Sequence, residues 1–224
     1  MKTKLFTIAM MVAFIMTAMT KVQAQNFEGP CLPSMHGLDD HQSAFCGSTV
    51  TQTIALSAGV NWFSTYVEIA LDDLKAALVD ALPNASATNV IIIKSQRNGQ
   101  ATYNGTRWRG ALDTFDVAYM YQVTVPESCE IMLEGMLVDP ADHPISIKNG
   151  PNWIGFPLSA SMTPTDAFAG LPPVSGDVLK SKTQQTNYSN RWRGALNNLV
   201  PGQGYIYNSA ATGERTLVFP TSAK

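Results

Sequence analysis

The chain has 224 residues, with 15 Lys and Arg against 17 Asp and Glu, a net charge of −2 with His neutral. Only 14% of residues are charged, and this sparse, slightly acidic balance excludes binding to nucleic acid or an anionic membrane surface as the function class. Frequent Gly and Pro with many Ser, Thr, Asn and Tyr suit a β-rich secreted protein.

In chain order, Lys2 and Lys4 precede an apolar stretch from Leu5 to Ala18, and Val22-Gln23-Ala24 supplies a small-x-small cleavage pattern. Residues 1–24 therefore read as a signal peptide cut before Gln25. The apolar stretch is too short for a comfortable span, and no further membrane-spanning segment is expected after cleavage. No cysteine follows the site directly, so a lipid anchor is not indicated. The expectation is an exported protein, periplasmic, cell-surface or extracellular. Losing three lysines with the leader takes the net charge from −2 to −5. Residues 25–52 read as an irregular arm. In an oxidising compartment Cys31 and Cys46 are its natural disulfide pair, a closure that stabilises by roughly 3 kcal/mol. Cys31, His36, His41 and Cys46 also recur every five residues. Zinc would suit such ligands, but the spacing is not that of a finger and the thiols would oxidise, so neither metal nor cofactor is expected. Cys129 is then odd, and reads as a buried thiol, with an intermolecular disulfide as the sharper alternative.

Beyond the arm, Thr53–Leu56 and Asn61–Val67 alternate as strands. From Glu68 to Leu82 the period changes: Leu71, Leu74, Ala77, Leu78 and Ala81 make a helical stripe, with Asp72 and Asp73 in its first turn and Pro83-Asn84 ending it. Val90–Ile93 is a buried strand. Strands follow around Ala101–Tyr103, at Trp108–Leu112, from Asp116 to Val125 and at Glu130–Met136. The Pro-containing run 139–144 reads as a linker between unit one, 53–138, and unit two, 145–224. Unit two repeats the order: strands at Ile145–Ile147 and Asn152–Phe156, a short helix at Thr165–Leu171 capped by Thr163 or Thr165, then Val178–Lys180, Trp192–Leu196, Tyr205–Asn208 and Thr216–Phe219. The expected fold is mainly β, a β-rich α+β chain of two homologous tandem units, each a small sheet or sandwich with one short helix.

The duplication is legible residue by residue. Gly59-Val60-Asn61-Trp62 returns as Gly150-Pro151-Asn152-Trp153, Lys94-Ser95-Gln96 as Lys180-Ser181-Lys182, and Arg107-Trp108-Arg109-Gly110-Ala111-Leu112 as Arg191-Trp192-Arg193-Gly194-Ala195-Leu196. Tyr119-Met120-Tyr121 is matched to Tyr205-Ile206-Tyr207. The offsets are 91, 86, 84 and 86, the trace of a duplicated folding unit with small indels. These motifs, with Pro201-Gly202-Gln203-Gly204-Tyr205, resemble a tandem repeat of secreted and surface proteins of Bacteroides-type bacteria, which often reads Gly-Trp-Asn-Trp-Ile-Gly-Tyr-Pro. The resemblance covers roughly residues 53–220. Val60 and Pro151 stand where the first Trp of that pattern usually falls. The resemblance implies an exported, modular protein and no particular chemistry.

All four tryptophans and four of the six arginines lie in the repeated motifs. Trp62 and Trp153, flanked by apolar neighbours, read first as core anchors, with a stacking platform for sugar rings as the second reading. Trp108 and Trp192, with Tyr103 and Tyr188, have two readings: a stacking platform for sugar rings, or structural packing. On a strand, Arg107 and Arg109 point away from Trp108, and Arg191 and Arg193 away from Trp192. They either grip carboxylates or sulfates of an acidic glycan, or pair with Asp113, Asp116 or the tyrosine rings. No catalytic motif is present, the three histidines sit in the arm and linker, and no acid is duplicated within the motifs. The expectation is a non-enzymatic binding or adhesion module for glycan or another surface polymer. A structural module acting through a protein partner is the alternative, and a secreted hydrolase is third.

Overall fold

Each repeat pairs its own first and last strands. The computed structural model describes residues 49–221. The first repeat runs β1 (Thr49–Leu56), β2 (Gly59–Phe63), α1 (Leu71–Ala81), β3 (Ile91–Ser95), β4 (Gln100–Tyr103), β5 (Trp108–Gly110), β6 (Tyr121–Val125) and β7 (Cys129–Met136). β1 lies antiparallel to β7, and the other strands form a sheet ordered β2-β6-β3-β4-β5. The second runs β8 (Ile145–Ile147), β9 (Gly150–Ile154), α2 (Pro164–Ala167), β10 (Val178–Lys180), β11 (Gln185–Tyr188), β12 (Trp192–Gly194), β13 (Tyr205–Ser209) and β14 (Arg215–Leu217). Here β8 pairs β14, and the sheet order is β9-β13-β10-β11-β12. The described residues are thus mainly β, with two short helices and two tandem five-stranded sheets of the same topology. Neither helix is long and apolar enough to cross a membrane, among the described residues.

Alternation builds both sheets. Phe63, Tyr121, Val123, Ile91 and Ile93 point inward to a core completed by Leu74 and Leu78 of α1 and by Ile131 and Leu133 of β7. Ile154, Phe156, Phe168, Leu179, Tyr207 and Leu217 fill the second core. Helix α1 starts where the Asp73 carboxylate accepts the Ala70 N–H at 2.9 Å. Helix α2 is only one turn, capped by Thr163, whose hydroxyl accepts the Asp166 N–H at 3.2 Å.

Several expected bounds shift: β1 begins at Thr49 rather than Thr53, taking in the end of the expected irregular arm, and α2 ends at Ala167 rather than Leu171. β2 ends at Phe63 rather than Val67, because Ser64 and Thr65 turn into buried hydrogen bonds. β6 starts at Tyr121 rather than Asp116, since Tyr119 closes a turn by donating to the Asp116 carbonyl at 3.1 Å. The tyrosine match moves by two residues. Phe63 pairs Tyr121 as Ile154 pairs Tyr205, so Tyr121 is equivalent to Tyr205. Both hydroxyls accept the N–H of the residue five earlier, Asp116 at 2.9 Å and Val200 at 2.7 Å. The Tyr-x-Tyr pattern in each copy had hidden this register. The offset falls from 91 to 86 across the helices, and then to 84 through two hairpin turns, each one residue shorter in the second repeat.

The repeats pack through a pseudo-twofold. Ser64 and Gly155 are equivalent, as are Gly202 and Ala118, and the same bond forms in both directions: Ser64 N–H to Gly202 O at 3.2 Å, Gly155 N–H to Ala118 O at 2.8 Å. Reciprocity of this kind is the mark of an isologous contact. At its centre the Ser64 hydroxyl donates to Gln203 O at 2.7 Å and accepts the Phe156 N–H at 3.2 Å. Gly155 needs its missing side chain, because a Cβ there would stand 2.3 Å from the Val117 carbonyl oxygen. The connector 139–144 turns through an Asp142-to-Asp139 bond of 3.1 Å and presents His143 Nε2 to Glu68 at 2.5 Å.

Candidate functional site

The duplicated residues divide into those with a folding task and those without. Asn61 and Asn152 do the same work: their amides bridge the turn before each edge strand, accepting from Ser57 and Lys148 N–H at 3.0 and 2.9 Å and donating to Ser57 and Lys148 O at 2.7 and 2.8 Å. Ser95 and Ser181 hydroxyls each accept two N–H groups of the following hairpin turn. In the hexapeptide motif, Gly110 and Gly194 cross so close to the neighbouring strand that a Cβ would lie 2.0 Å from Gln100 O and 2.3 Å from Gln185 O. Their φ values of +131° and +156° also fall in the region that favours glycine. Leu112 and Leu196 then drop into the cores.

Trp108 and Trp192 belong with these. Both are half-buried on the inner face, packed against the two cores. Trp108 meets Tyr103 at 5.4 Å between ring centroids, and Trp192 meets Tyr188 at 5.2 Å and Phe168 at 5.7 Å. Strand pairing explains this, for Trp108 lies opposite Tyr103 and Trp192 opposite Tyr188, on the sheet face that carries Ala101 and Thr186 inward.

Trp62 and Trp153 take the other side. Phe63 and Ile154 point into the cores, so the preceding tryptophans project from the outer faces, half-exposed and outside both core clusters. These outward positions, read as core anchors from their apolar neighbours, are a difference with a simple cause. Apolar residues flank them in sequence because alternate positions enter the core, not because the tryptophans do.

Across each outer face the register assembles a repeated row. Trp62 lies beside Gln122, Lys94 and Gln100, and Trp153 beside Ile206, Lys180 and Gln185. Arg109 stands outward opposite Thr102, and Arg193 outward opposite Asn187. Arg107 and Arg191 are exposed at the preceding turns. Among the described residues none of these four arginines makes an ion pair, and none lies over an aromatic ring. Pairing with Asp113 or Asp116 does not form: Asp116 instead faces His143 at 3.9 Å. The outward strand positions of both sheets carry no acidic residue, so cation, amide and indole are presented without local neutralisation.

Sequence reasoning missed Lys94, Lys180, Gln100 and Gln185 as partners of the tryptophans. The signal available was their duplication, but only strand register places them in one row. It also missed a buried polar cluster confined to the second repeat. Asp177 accepts the Tyr207 hydroxyl, the Ala210 N–H at 2.7 Å and the Val174 N–H at 2.9 Å, and Arg215 lies 3.3 Å away. Burial pushes the Asp177 carboxyl up, but these four donors outweigh it and hold it below its ordinary value. Burial, with Asp177 as hydrogen-bond partner, pushes the Tyr207 phenol far up. The equivalent first-repeat positions are Ile91, Val123 and Cys129. Cys129 is half-buried, and burial followed by Glu127 raises its thiol, so it rests protonated against the core. Cys31, His36, His41 and Cys46, and the signal peptide, lie outside the described residues. No protein-family model, curated protein or solved structure matches this chain.

Proposed function

We propose that this is an exported, non-enzymatic binding module that engages an acidic glycan or similar surface polymer through the outer faces of its two sheets. The observation that carries this reading is the division of labour among duplicated residues. The repeated Asn, Ser, Gly and Leu and the inner Trp are accounted for by folding, whereas the side chains of Trp62/Trp153, Lys94/Lys180 and Arg109/Arg193 are repeated on the outer faces with no hydrogen-bond or ion-pair partner among the described residues. Indole stacks on the apolar face of a sugar ring, and guanidinium binds carboxylate or sulfate in a planar, bidentate fashion. Two copies of a modest site on one chain raise avidity for a repeating polymer without any new contact. The resemblance to repeats of secreted bacterial surface proteins agrees with this placement.

A glycan array probed with the full chain, beside Trp62→Ala/Trp153→Ala and Arg109→Ala/Arg193→Ala variants shown to be folded, tests it. Binding to uronate- or sulfate-bearing glycans is expected, with at least a tenfold loss in each double variant. Absence of glycan binding, or binding unaffected by both pairs, refutes it. The protein-contact alternative draws on one observation, the exposed row Met132, Met136 and Leu137 at β7, of which Met132 is 69% exposed.

A further inference from the structure

The pseudo-twofold creates two equivalent clefts between the repeats, and only one of them is filled. In the filled cleft the β3–β4 turn of the first repeat reaches over the edge strand β9. Gln96 donates to the Pro151 carbonyl at 2.9 Å and accepts the Trp153 N–H at 2.8 Å. Arg97 beside it lies 4.7 Å over the Tyr119 ring, donates to the Tyr119 hydroxyl at 3.1 Å, and reaches the Ser146 carbonyl at 3.4 Å. Two side chains thus plug the space and satisfy the strand edge.

The twin cleft has lost every part of that plug. By register Gln96 is replaced by Lys182, Arg97 by Thr183 and Tyr119 by Gln203. What remains is a cavity of about 360 Å³ lined by β1, Asn61 and Trp62 of β2, Lys182, Thr183 and the Pro201–Gly204 loop. Its strand edge is unsatisfied. Trp62 O accepts the Gly204 N–H at 3.0 Å, so Trp62 faces away from β6. A residue's N–H and C=O point to the same side of a strand, so the Trp62 N–H and the Val60 carbonyl also face outward. Neither has a partner among the described residues. Lys182 supplies donors only, and cannot accept from Trp62 as Gln96 accepts from Trp153.

We propose that this cleft is a subsite for one acetamido sugar residue of the polymer, a proposal that rests on the glycan-binding reading above. The filled twin displays the chemistry the edge accepts: one acceptor and one donor side by side. An acetamido carbonyl and the neighbouring ring hydroxyl offer that pair, the carbonyl to the Trp62 N–H and the hydroxyl to the Val60 carbonyl. Trp62 offers indole surface at the boundary between cleft and outer face, and Lys182, Thr183 and Gln203 are placed for the remaining hydroxyls. The volume lies at the lower end of small-ligand pockets, which fits one ring rather than a long segment.

Calorimetric titration of the full chain with tri-N-acetylchitotriose and with a matched glucose trimer tests the assignment. Only the acetamido trimer binds, at one per chain. Lys182→Gln/Thr183→Arg rebuilds the twin's plug and weakens that binding at least tenfold. If this variant does not fold, Gln203→Tyr blocks the cleft from its other wall and is expected to act alike. Gln96→Ala/Arg97→Ala/Tyr119→Gln removes all three parts of the plug, opens the twin and moves the stoichiometry towards two. Equal binding of the two trimers, no binding of either, or binding unchanged by the plug overturns the subsite. So does tighter binding of a Ser-Gln-Arg-Asn peptide than of the acetamido trimer, which makes the occupant a protein turn. If acidic glycans still bind and lose affinity in the Arg109/Arg193 variant, the subsite alone has failed and the outer-face reading stands.

Discussion

Ser64→Ala removes a single oxygen at the centre of the pseudo-twofold, and the structure sets what that costs. The hydroxyl is fully buried, donates to Gln203 O at 2.7 Å and accepts the Phe156 N–H at 3.2 Å. Alanine fits the space, so packing changes little. The Phe156 N–H, however, loses its partner in a site closed to water, and a buried orphan donor costs about 1–3 kcal/mol. Gln203 O is orphaned in part, with Gln203 itself exposed, so its share is smaller. A total of roughly 2–4 kcal/mol follows, and a domain of this size loses about 2–4 °C per kcal/mol, giving a fall of roughly 4–16 °C in Tm. Thermal unfolding followed by circular dichroism reads it, with exposed Thr53→Ala as a control that should leave Tm nearly unchanged. The bond spans the two repeats, so the loss should also separate their unfolding or shift both together rather than touch the first alone. A fall of less than about 2 °C would refute the assignment of Ser64 as the bridge between the repeats.

The two tryptophan pairs should behave in opposite ways. Trp108→Ala and Trp192→Ala each lose packing against a core and a tyrosine, and are expected to destabilise by about 2–4 kcal/mol in urea unfolding, while Trp62→Ala and Trp153→Ala cost less than about 1 kcal/mol. Equal costs would contradict the face assignment. The second repeat should carry an acid-sensitive element that the first lacks. A carboxyl held below its ordinary value stabilises fully above the unfolded carboxylate pKa, and that stabilisation is lost as pH falls through the folded value. The stability gap between the parent and Asp177→Asn should therefore be constant from about pH 5 to 8 and narrow below about pH 4. A gap that widens on acidification would show the sign to be wrong.

The fold class was legible because β alternation and the helical stripe at Leu71, Leu74 and Leu78 are local signals. The duplication was legible because both copies kept the residues their shared turns and close strand crossings require, such as Asn61 and Asn152 or Gly110 and Gly194. Local pattern also misled. Tyr119-x-Tyr121 and Tyr205-x-Tyr207 look alike, yet hydrogen-bond register makes Tyr121 the partner of Tyr205.

The division between core and surface was hidden for a related reason. Alternation says that Trp62 and Phe63 face opposite ways, and Trp108 and Arg109 likewise, but it does not say which of each pair meets the core. That depends on which side of the sheet the helix and the β1–β7 pair cover, a choice made by contacts far apart in sequence. The clefts show the same limit more sharply. Gln96-Arg97 and Lys182-Thr183 read as unremarkable turn residues, and only docking one repeat against the edge strand of the other makes the first pair a plug and the second a vacancy. Sequence by itself determined two β units of one design; tertiary packing decided which repeated residues hold that design together and which remain free to touch something else.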